Sequence, residues 1–246
     1  MCSSDLLADS INALLPVAQV GGDLVRARLA ARDGEGATAA ASVVVDLTLG
    51  LMTLVLFIVF GLLLIRLHGG LGGVPIPIAA AVVVFALLLG GFYFAQRSGW
   101  LLKLARRMEG RAGNGWQAIT GGMADLDRAV VAAYANAPAV LIAAGWRMAA
   151  WFFGAFEIWA VFQVLGRPVT LGEAVIVEAV AQAVRNAGFA IPGGLGAQEG
   201  GYMLAGALVG VADEVGLSIA LVKRLRDLIW GAPALVAWWL FEGRRG

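Results

Sequence analysis

Long apolar runs, interrupted by only a few charged residues, dominate the chain. Four of them, at 43–65, 76–95, 139–165 and 217–241, reach the roughly 20 residues that a helix needs to cross a bilayer. Two further apolar segments, 171–189 and 200–211, are too short or too polar for ordinary spans. The second would be about 18 Å long as a helix. This pattern predicts an all-α polytopic integral membrane protein built as a helix bundle.

The distribution of Lys and Arg predicts the orientation of these helices. Segments 24–40, 96–136 and 242–246 hold eleven basic residues, whereas the connections at 66–75 and 166–170 hold two. Because basic loops stay in the cytoplasm, we expect the first three segments and the C-terminus to be cytoplasmic. The two short apolar segments must then make an even number of crossings between them. We expect a re-entrant hairpin that enters from the outside.

Composition narrows the functional classes. Sixty per cent of the residues are hydrophobic and 14% are charged, which argues against a cytosolic enzyme, a disordered chain or a nucleic-acid binder. One Cys and one His exclude an internal disulfide framework and a multi-His metal site. The sequence has no P-loop, no dinucleotide fingerprint and no nucleophile with a base nearby. We therefore expect no enzymatic activity, no cofactor and no metal.

The strongest local motif is IPGGLGAQEGG at 191–201. Pro192, Gly193, Gly194 and Gly196 cannot continue a helix cheaply. At membrane depth such backbone is tolerated only where protein buries it or water lines it. A short helix carrying Glu199 follows, and its free N–H groups form a positive dipole end. Transporters place their binding sites at broken helices of this kind.

A weaker copy of this motif lies at 14–28, LLPVAQVGGDLVRAR. Pro16 precedes Asp23 by seven residues, just as Pro192 precedes Glu199 by seven. The predicted topology brings the first break in from the cytoplasm and the second from the outside. Two broken helices of opposite orientation are typical of an inverted repeat, although chance similarity of Gly-Pro breaks stays open.

A polar stripe leads into the second break. Glu178, Gln182, Arg185 and Asn186 share one face of an otherwise apolar helix. Such a stripe is costly in a membrane unless it faces a cavity or partners. Two interpretations remain: the stripe lines a cavity, or a Glu178–Arg185 network locks helices together.

Further charges lie within the predicted spans. Asp227 has Lys223 and Arg224 at helical pairing distance on its own helix. Such a pair leaves a cation that either extends to the outer interface or binds phosphate in a lipid pathway. The last run carries a charged patch that consists of Lys223, Arg224, Arg226 and Asp227. Arg147 and Glu157 are too far apart to pair, so we expect them to find partners in Asp46 or this patch.

Two segments stand apart from the spans. Segment 96–136 combines apolar and basic residues at helical spacing, which predicts a cytoplasmic interfacial loop; a solvated basic loop is the alternative. Residues 1–6, MCSSDL, do not begin a signal peptide. One reverse translation of CSSDL matches a common sequencing-adapter end, so we expect an artefact here and missing upstream helices; a native start is the alternative.

The motif PGGLGAQEG, preceded by EAVAQAVRNAGF, resembles the lysylphosphatidylglycerol synthase transmembrane (flippase-like) family. The early LLPVAQVGGDLVRARL and SVVVDLTLG resemble the same family, and AQEG with VVVDLTLG looks most like its hopanoid-biosynthesis-associated branch. The resemblance covers most of 10–240. It implies a single flippase-like domain over 7–246, with about eight membrane segments in complete members.

The resemblance also implies a function. Aminoacyl transfer in this family resides in an additional soluble domain, so lipid translocation rather than lipid synthesis is implied, with hopanoids or anionic phospholipids as substrates. By this resemblance, the family's site in the motif at 191–201 corresponds to Pro192, Gly193, Gly194, Gly196 and Glu199. The site in the motif at 14–28 corresponds to Pro16, Gly21, Gly22, Asp23 and Arg26.

From the residues and the resemblance together, we expect a multi-pass protein of a bacterial inner membrane. Arg185 or Arg224 and the helix N-termini would hold an anionic headgroup. Membrane lipids are the expected partners, nucleic acid is not, and a homo-oligomer stays open. The alternatives are a scaffold for lipid-biosynthetic enzymes, docked through 96–136, and a small-solute transporter.

Overall fold

The computed structural model describes residues 36–67, 76–99, 116–188 and 196–242. These residues form helices and contain no strand, which confirms the predicted all-α class for this part of the chain. In chain order the helices are α1 (Gly36–Leu67), α2 (Ile76–Arg97), α3 (Trp116–Ala135), α4 (Ala137–Val164), α5 (Leu171–Ala187), α6 (Ala197–Leu208) and α7 (Asp213–Glu242).

Local polar residues set several of the helix ends. Asn136 is the single residue between α3 and α4, and its side-chain oxygen accepts a hydrogen bond from the backbone N–H of Ala139 at 3.3 Å. At the start of α5, the Thr170 hydroxyl accepts from the N–H of Glu173, while the Glu173 carboxylate accepts from the N–H of Thr170. This reciprocal capping box satisfies backbone donors that a helix start leaves free.

Helix length separates candidate spans from shorter elements. In the described part of the chain, α1 with 32 residues and α4 with 28 are the two helices that are long and apolar enough to cross a membrane. The 17 residues of α5 and the 12 of α6 reach about 25 and 18 Å. Both lengths fall short of the roughly 30 Å hydrocarbon core, as the sequence predicts.

The described residues divide into two compact units. Unit 1 comprises residues 36–55, 76–99 and 116–148, and unit 2 comprises residues 56–67, 149–188 and 196–242. The N-terminal parts of α1 and α4 belong to unit 1, and their C-terminal parts belong to unit 2.

Unit 1 is built from α2, α3 and the first parts of α1 and α4. Gln96 at the end of α2 is buried and exchanges hydrogen bonds with Thr48 of α1 at 3.2–3.3 Å. The hydroxyl of Tyr134 on α3 donates to the same Gln96 side chain at 2.7 Å. An apolar cluster surrounds this junction, formed by Ala41, Val45, Leu49, Val130 and Tyr134.

An ion pair joins α1 and α4 within unit 1. Arg147 Nη2 lies 2.5 Å from Asp46 Oδ2, and its Nε donates to Oδ1 at 3.1 Å. Gly50 makes room for this guanidinium, since a Cβ there would lie 3.0 Å from Nη1. The predicted pairing of Arg147 with Asp46 is therefore confirmed, and the two-point geometry is the strong form of such a pair.

Unit 2 packs α5, α6 and α7 closely against one another. Its core consists of Ile158, Phe162, Ala174, Val177, Ala181, Tyr202, Ala205, Ile219 and Ala220. Glycines permit the close approach of backbones: a Cβ on Gly216 of α7 would lie 2.8 Å from Met203 Cα on α6. A Cβ on Gly201 of α6 would lie 3.1 Å from the Ala181 carbonyl oxygen on α5. Small residues at helix interfaces are typical of membrane bundles.

Large apolar side chains cover much of the surface of both units. Trp146 and Leu141 in unit 1 are 75% and 71% exposed, and Val164 and Trp230 in unit 2 are 87% and 70% exposed. Soluble monomers rarely present contiguous apolar surface on this scale. Exposure of this kind suits helices whose surroundings are lipid.

The close approach at Gly216 gives a stability prediction. We expect Gly216→Ala to lower the free energy of unfolding by about 1–3 kcal/mol, because the added methyl meets the backbone of α6. The measurement is thermal unfolding of the full chain in detergent. Gly90→Ala on α2 is the matched control, since nothing lies within 4 Å of a Cβ there. Equal melting temperatures for both variants would contradict the packing argument.

Candidate functional site

A lysine buried in unit 2 lies at the centre of an ion-pair network. Lys223 of α7 is 4% exposed, and its ammonium lies 2.9 Å from Glu157 Oε2 of α4 and 3.6 Å from Glu178 Oε1 of α5. It also donates to the carbonyl oxygen of Gly154 at 3.1 Å. A single cation thus connects three helices.

Glu178 is the most deeply buried carboxylate of the network, at 2% exposure. Its Oε2 accepts a hydrogen bond from the hydroxyl of Tyr202 on α6 at 2.9 Å. Its Oε1 accepts from the Gln182 amide at 3.0 Å and faces Lys223. A buried charge is tolerated when it is paired and hydrogen-bonded, and Glu178 meets both conditions.

Glu157 joins a second cation to the network. Arg226 Nη1 lies 2.5 Å from Glu157 Oε2, and Arg226 also donates to Asp227 Oδ1 at 2.8 and 3.2 Å. The prediction that Asp227 pairs with Lys223 or Arg224 is therefore wrong. Both of those cations turn towards carboxylates on other helices, which leaves Asp227 to its neighbour Arg226.

A further ion pair links the start of α6 to α7. Arg224 Nη1 lies 2.7 Å from Glu199 Oε1. The other oxygen of Glu199 accepts from the N–H of Gly196 at 2.9 Å. Gly196 has a φ of +82°, a conformation in which glycine has no steric penalty. Glu199 therefore caps the short helix and neutralises a cation of α7 at the same time.

The structure resolves the role of the polar stripe on α5 in part. Gln182 binds Glu178, and the Asn186 amide donates to the carbonyl oxygen of Gln182 at 2.8 Å. The Arg185 side chain makes no hydrogen bond or ion pair with any other described residue. The proposed Glu178–Arg185 lock is thus not formed, because Lys223 from the facing helix occupies Glu178. Locking of helices does occur, through a partner that the stripe itself does not contain.

Several predicted site residues lie outside the described residues. These are Asp23 and Arg26 of the first motif and Pro192, Gly193 and Gly194 of the second. The expected meeting of the two breaks stays a prediction for that reason. Gly196, Glu199, Glu178, Gln182, Arg185, Asn186 and Arg224 all lie in unit 2.

Sequence reasoning missed two participants. Tyr202 was not assigned to the site, although a phenol on an apolar helix requires a hydrogen-bond partner and so carries a signal. Gly154 was missed because its contribution is a carbonyl oxygen and the space beside it. Glu157, Lys223 and Arg226 were recognised as intramembrane charges but not placed in the site. Within the described residues, no group of three His, Cys, Asp or Glu side chains is arranged to hold a metal ion.

Comparison with known families agrees with this architecture. Residues 3–234 match the family model described as "Lysylphosphatidylglycerol synthase TM region". The chain belongs to this family. The family is a membrane protein domain, so the buried charges of unit 2 belong to a transmembrane region. No curated protein and no solved structure gives a significant match to the chain.

The buried Lys223–Glu178 contact predicts strong energetic coupling. We expect Lys223→Met to lower the free energy of unfolding by about 3–5 kcal/mol, because it leaves the buried Glu178 without a cation. Glu178→Gln should cost less, because Lys223 keeps Glu157 as a partner. The double variant should lose much less than the sum of the two. The measurement is a double-mutant cycle on thermal or denaturant unfolding in detergent. Glu214→Gln, at an exposed position of α7, is the control. Additive losses would contradict the coupling.

Gly154 predicts a second effect on the same network. A Cβ there would lie 2.9 Å from Glu178 Oε1 and 3.6 Å from Lys223 Nζ. Gly154→Ala should therefore displace the carboxylate and destabilise the protein by about 1–3 kcal/mol. Gly145→Ala, on the same helix with nothing within 4 Å of its Cβ, should leave the melting temperature unchanged or raise it. An unchanged melting temperature for Gly154→Ala would show that the network has room to spare.

Proposed function

We propose that this protein translocates membrane lipids between leaflets and performs no chemical step. Membership of the transmembrane family places the chain in the bilayer. Lipid translocation requires, in addition, a polar place where a charged headgroup crosses the apolar core. The charged cluster between α4, α5, α6 and α7 is our candidate for that place.

The observation that carries the proposal is the state of Arg185. The other described cations of this cluster, Lys223, Arg224 and Arg226, are engaged by carboxylates. Arg185 lies on the polar face of α5 that also carries Glu178, and its side chain has no carboxylate partner among the described residues. A guanidinium binds phosphate by two parallel hydrogen bonds, so Arg185 is suited to an anionic headgroup.

The short helix α6 supports the same assignment. It starts at Gly196, directly after the Gly-Pro segment, and is too short to cross the bilayer. Its amino end is a positive dipole end, where the Glu199 carboxylate accepts a hydrogen bond from the N–H of Gly196. Displacement of Glu199 from both Gly196 and Arg224 would free that N–H and that guanidinium for a phosphate. Arg224 is therefore the second headgroup ligand in our proposal.

The remaining elements of the proposal follow from the topology that the sequence predicts. In that topology the second break is re-entrant from the outside, the first enters from the cytoplasm, and the two form an inverted repeat. The protein resides in a bacterial inner membrane with its C-terminus in the cytoplasm. Hopanoids and anionic phospholipids are the candidate substrates.

A reconstitution assay tests the proposal. The full chain is placed in liposomes that contain fluorescent phosphatidylglycerol, and the fraction accessible to an external quencher is followed over time. We expect faster exchange than in empty liposomes. Arg185→Gln should slow the exchange of phosphatidylglycerol about tenfold, the loss of one charge-assisted interaction, without lowering the melting temperature.

Matched variants separate this role from folding. Arg167→Gln, at an exposed position between α4 and α5, should exchange lipid like the wild type. Glu199→Gln should change the exchange rate if Glu199 competes with the headgroup, and normal transport with normal folding would remove Glu199 from the mechanism. Exchange no faster than in empty liposomes, for phospholipid and hopanoid alike, would reject translocation and favour the scaffold.

A further inference from the structure

A second polar site lies in unit 1, apart from the ion-pair network. The end of α2 and one face of α3 line an open cavity of about 390 Å³. Its polar lining comes from Arg97, Ser98, Gly99, Asp127 and Arg128, and the rest is Val and Ala. The cavity is large enough for a small polar molecule or a lipid headgroup. Because its size admits both, the charged side chains of its lining determine which ligand binds.

Asp127 is the unusual member of this lining. Its side chain is 4% exposed, and within the described residues its Oδ1 is buried with no hydrogen-bond partner. A buried carboxylate oxygen without a hydrogen-bond partner costs about 1–3 kcal/mol, and more when the group is charged. Buried polar groups in native structures are nearly always satisfied, which points to a partner that is not one of these residues.

The surrounding backbone also favours the binding of a cation next to the Asp127 carboxylate. Gly99 follows α2 directly and adopts a left-handed φ of +65°, and a Cβ on it would lie 3.0 Å from Asp127 Oδ2. The carboxylate is therefore held against the carboxyl end of α2, where the helix dipole is negative. Two negative influences meet at one point, which suits an ammonium group.

The cavity carries a positive counterpart at Arg97. Arg128 is paired with Asp125 on its own helix. The Arg97 side chain makes no hydrogen bond or ion pair with another described residue. A buried carboxylate and an available guanidinium thus line one cavity without binding each other. A ligand that carries both a cation and an anion would satisfy them together.

We propose that this cavity binds a zwitterion with a primary ammonium next to a phosphate, as in phosphoethanolamine, either free or as a lipid headgroup. The ammonium donates its N–H groups to Asp127, and the phosphate binds Arg97. A quaternary ammonium has no N–H to donate and binds more weakly. The proposal concerns binding alone, so it stands or falls independently of lipid translocation.

Calorimetric titration of the full chain in phosphatidylcholine nanodiscs tests the site. Phosphoethanolamine should bind the wild type, and Asp127→Asn should weaken that binding at least about tenfold through loss of a charge-assisted hydrogen bond. Asp213→Asn, the same change at an exposed position of α7 in unit 2, should bind normally. Phosphocholine should bind more weakly than phosphoethanolamine.

Two further arms distinguish the source of the ligand and the role of folding. If the site holds a lipid headgroup, phosphatidylethanolamine in the nanodiscs should compete with added phosphoethanolamine and weaken its binding. If the ligand is the free compound, phosphoethanolamine should bind as it does in phosphatidylcholine nanodiscs. Without ligand, Asp127→Asn should melt at or above the wild-type temperature, because it removes a buried negative charge whose Oδ1 has no hydrogen-bond partner among the described residues. Arg97→Gln should weaken the binding of phosphoethanolamine but not the binding of ethanolamine, which has no phosphate.

Three results would overturn the proposal. One is equal affinity of the wild type and Asp127→Asn for phosphoethanolamine. Another is equal affinity of the wild type for phosphocholine and phosphoethanolamine. In the third, the wild type binds neither free phosphoethanolamine nor the headgroup of phosphatidylethanolamine, and Asp127→Asn lowers the melting temperature. That result would show that Asp127 pairs with a cation of the chain itself.

Discussion

The cost of removing charge from water determines the architecture of unit 2. Lys223 and Glu178 are almost completely buried, and neither would be tolerated there alone. The helices around them provide the partners that these two charges need. Helix α4 provides Glu157 and the Gly154 carbonyl for Lys223, and α6 provides the Tyr202 hydroxyl for Glu178. The register of four helices is therefore coupled to one set of polar contacts, and a slip of any helix would leave a charge without a partner.

Small residues make these polar contacts geometrically possible. The side chains of Lys223 and Glu178 meet beside Gly154, where any larger residue would occupy the space of the carboxylate. Gly216 and Gly201 bring the backbones of α5, α6 and α7 close together in the same unit. In lipid, where apolar side chains gain little from leaving their surroundings, such close packing and polar contacts are the main sources of helix association.

The helices that follow the apolar segments were predictable from the sequence, but the partners within the site were not. Helix α3 lies in segment 96–136, for which the sequence predicts an interfacial loop. The apolar runs at 139–165 and 217–241 correspond to α4 and α7 within a few residues, because length and hydropathy are local properties. Pairing is a long-range property. The local rule assigned Asp227 to Lys223 or Arg224, yet those cations bind Glu157, Glu178 and Glu199 on other helices. A single sequence shows which charges need partners but not which helix faces them.

The geometry of Lys223 bears on how such a network would serve transport. Its ammonium lies 2.9 Å from Glu157 and 3.6 Å from Glu178, so one cation is shared between two carboxylates. Arg226 also contacts Glu157 and Tyr202 also contacts Glu178, so each carboxylate has a second partner. Under the proposed function, a headgroup bound at Arg185 would promote translocation only if it binds another arrangement of these helices more tightly than this one, since a ligand shifts an equilibrium only by its difference in affinity for the two states.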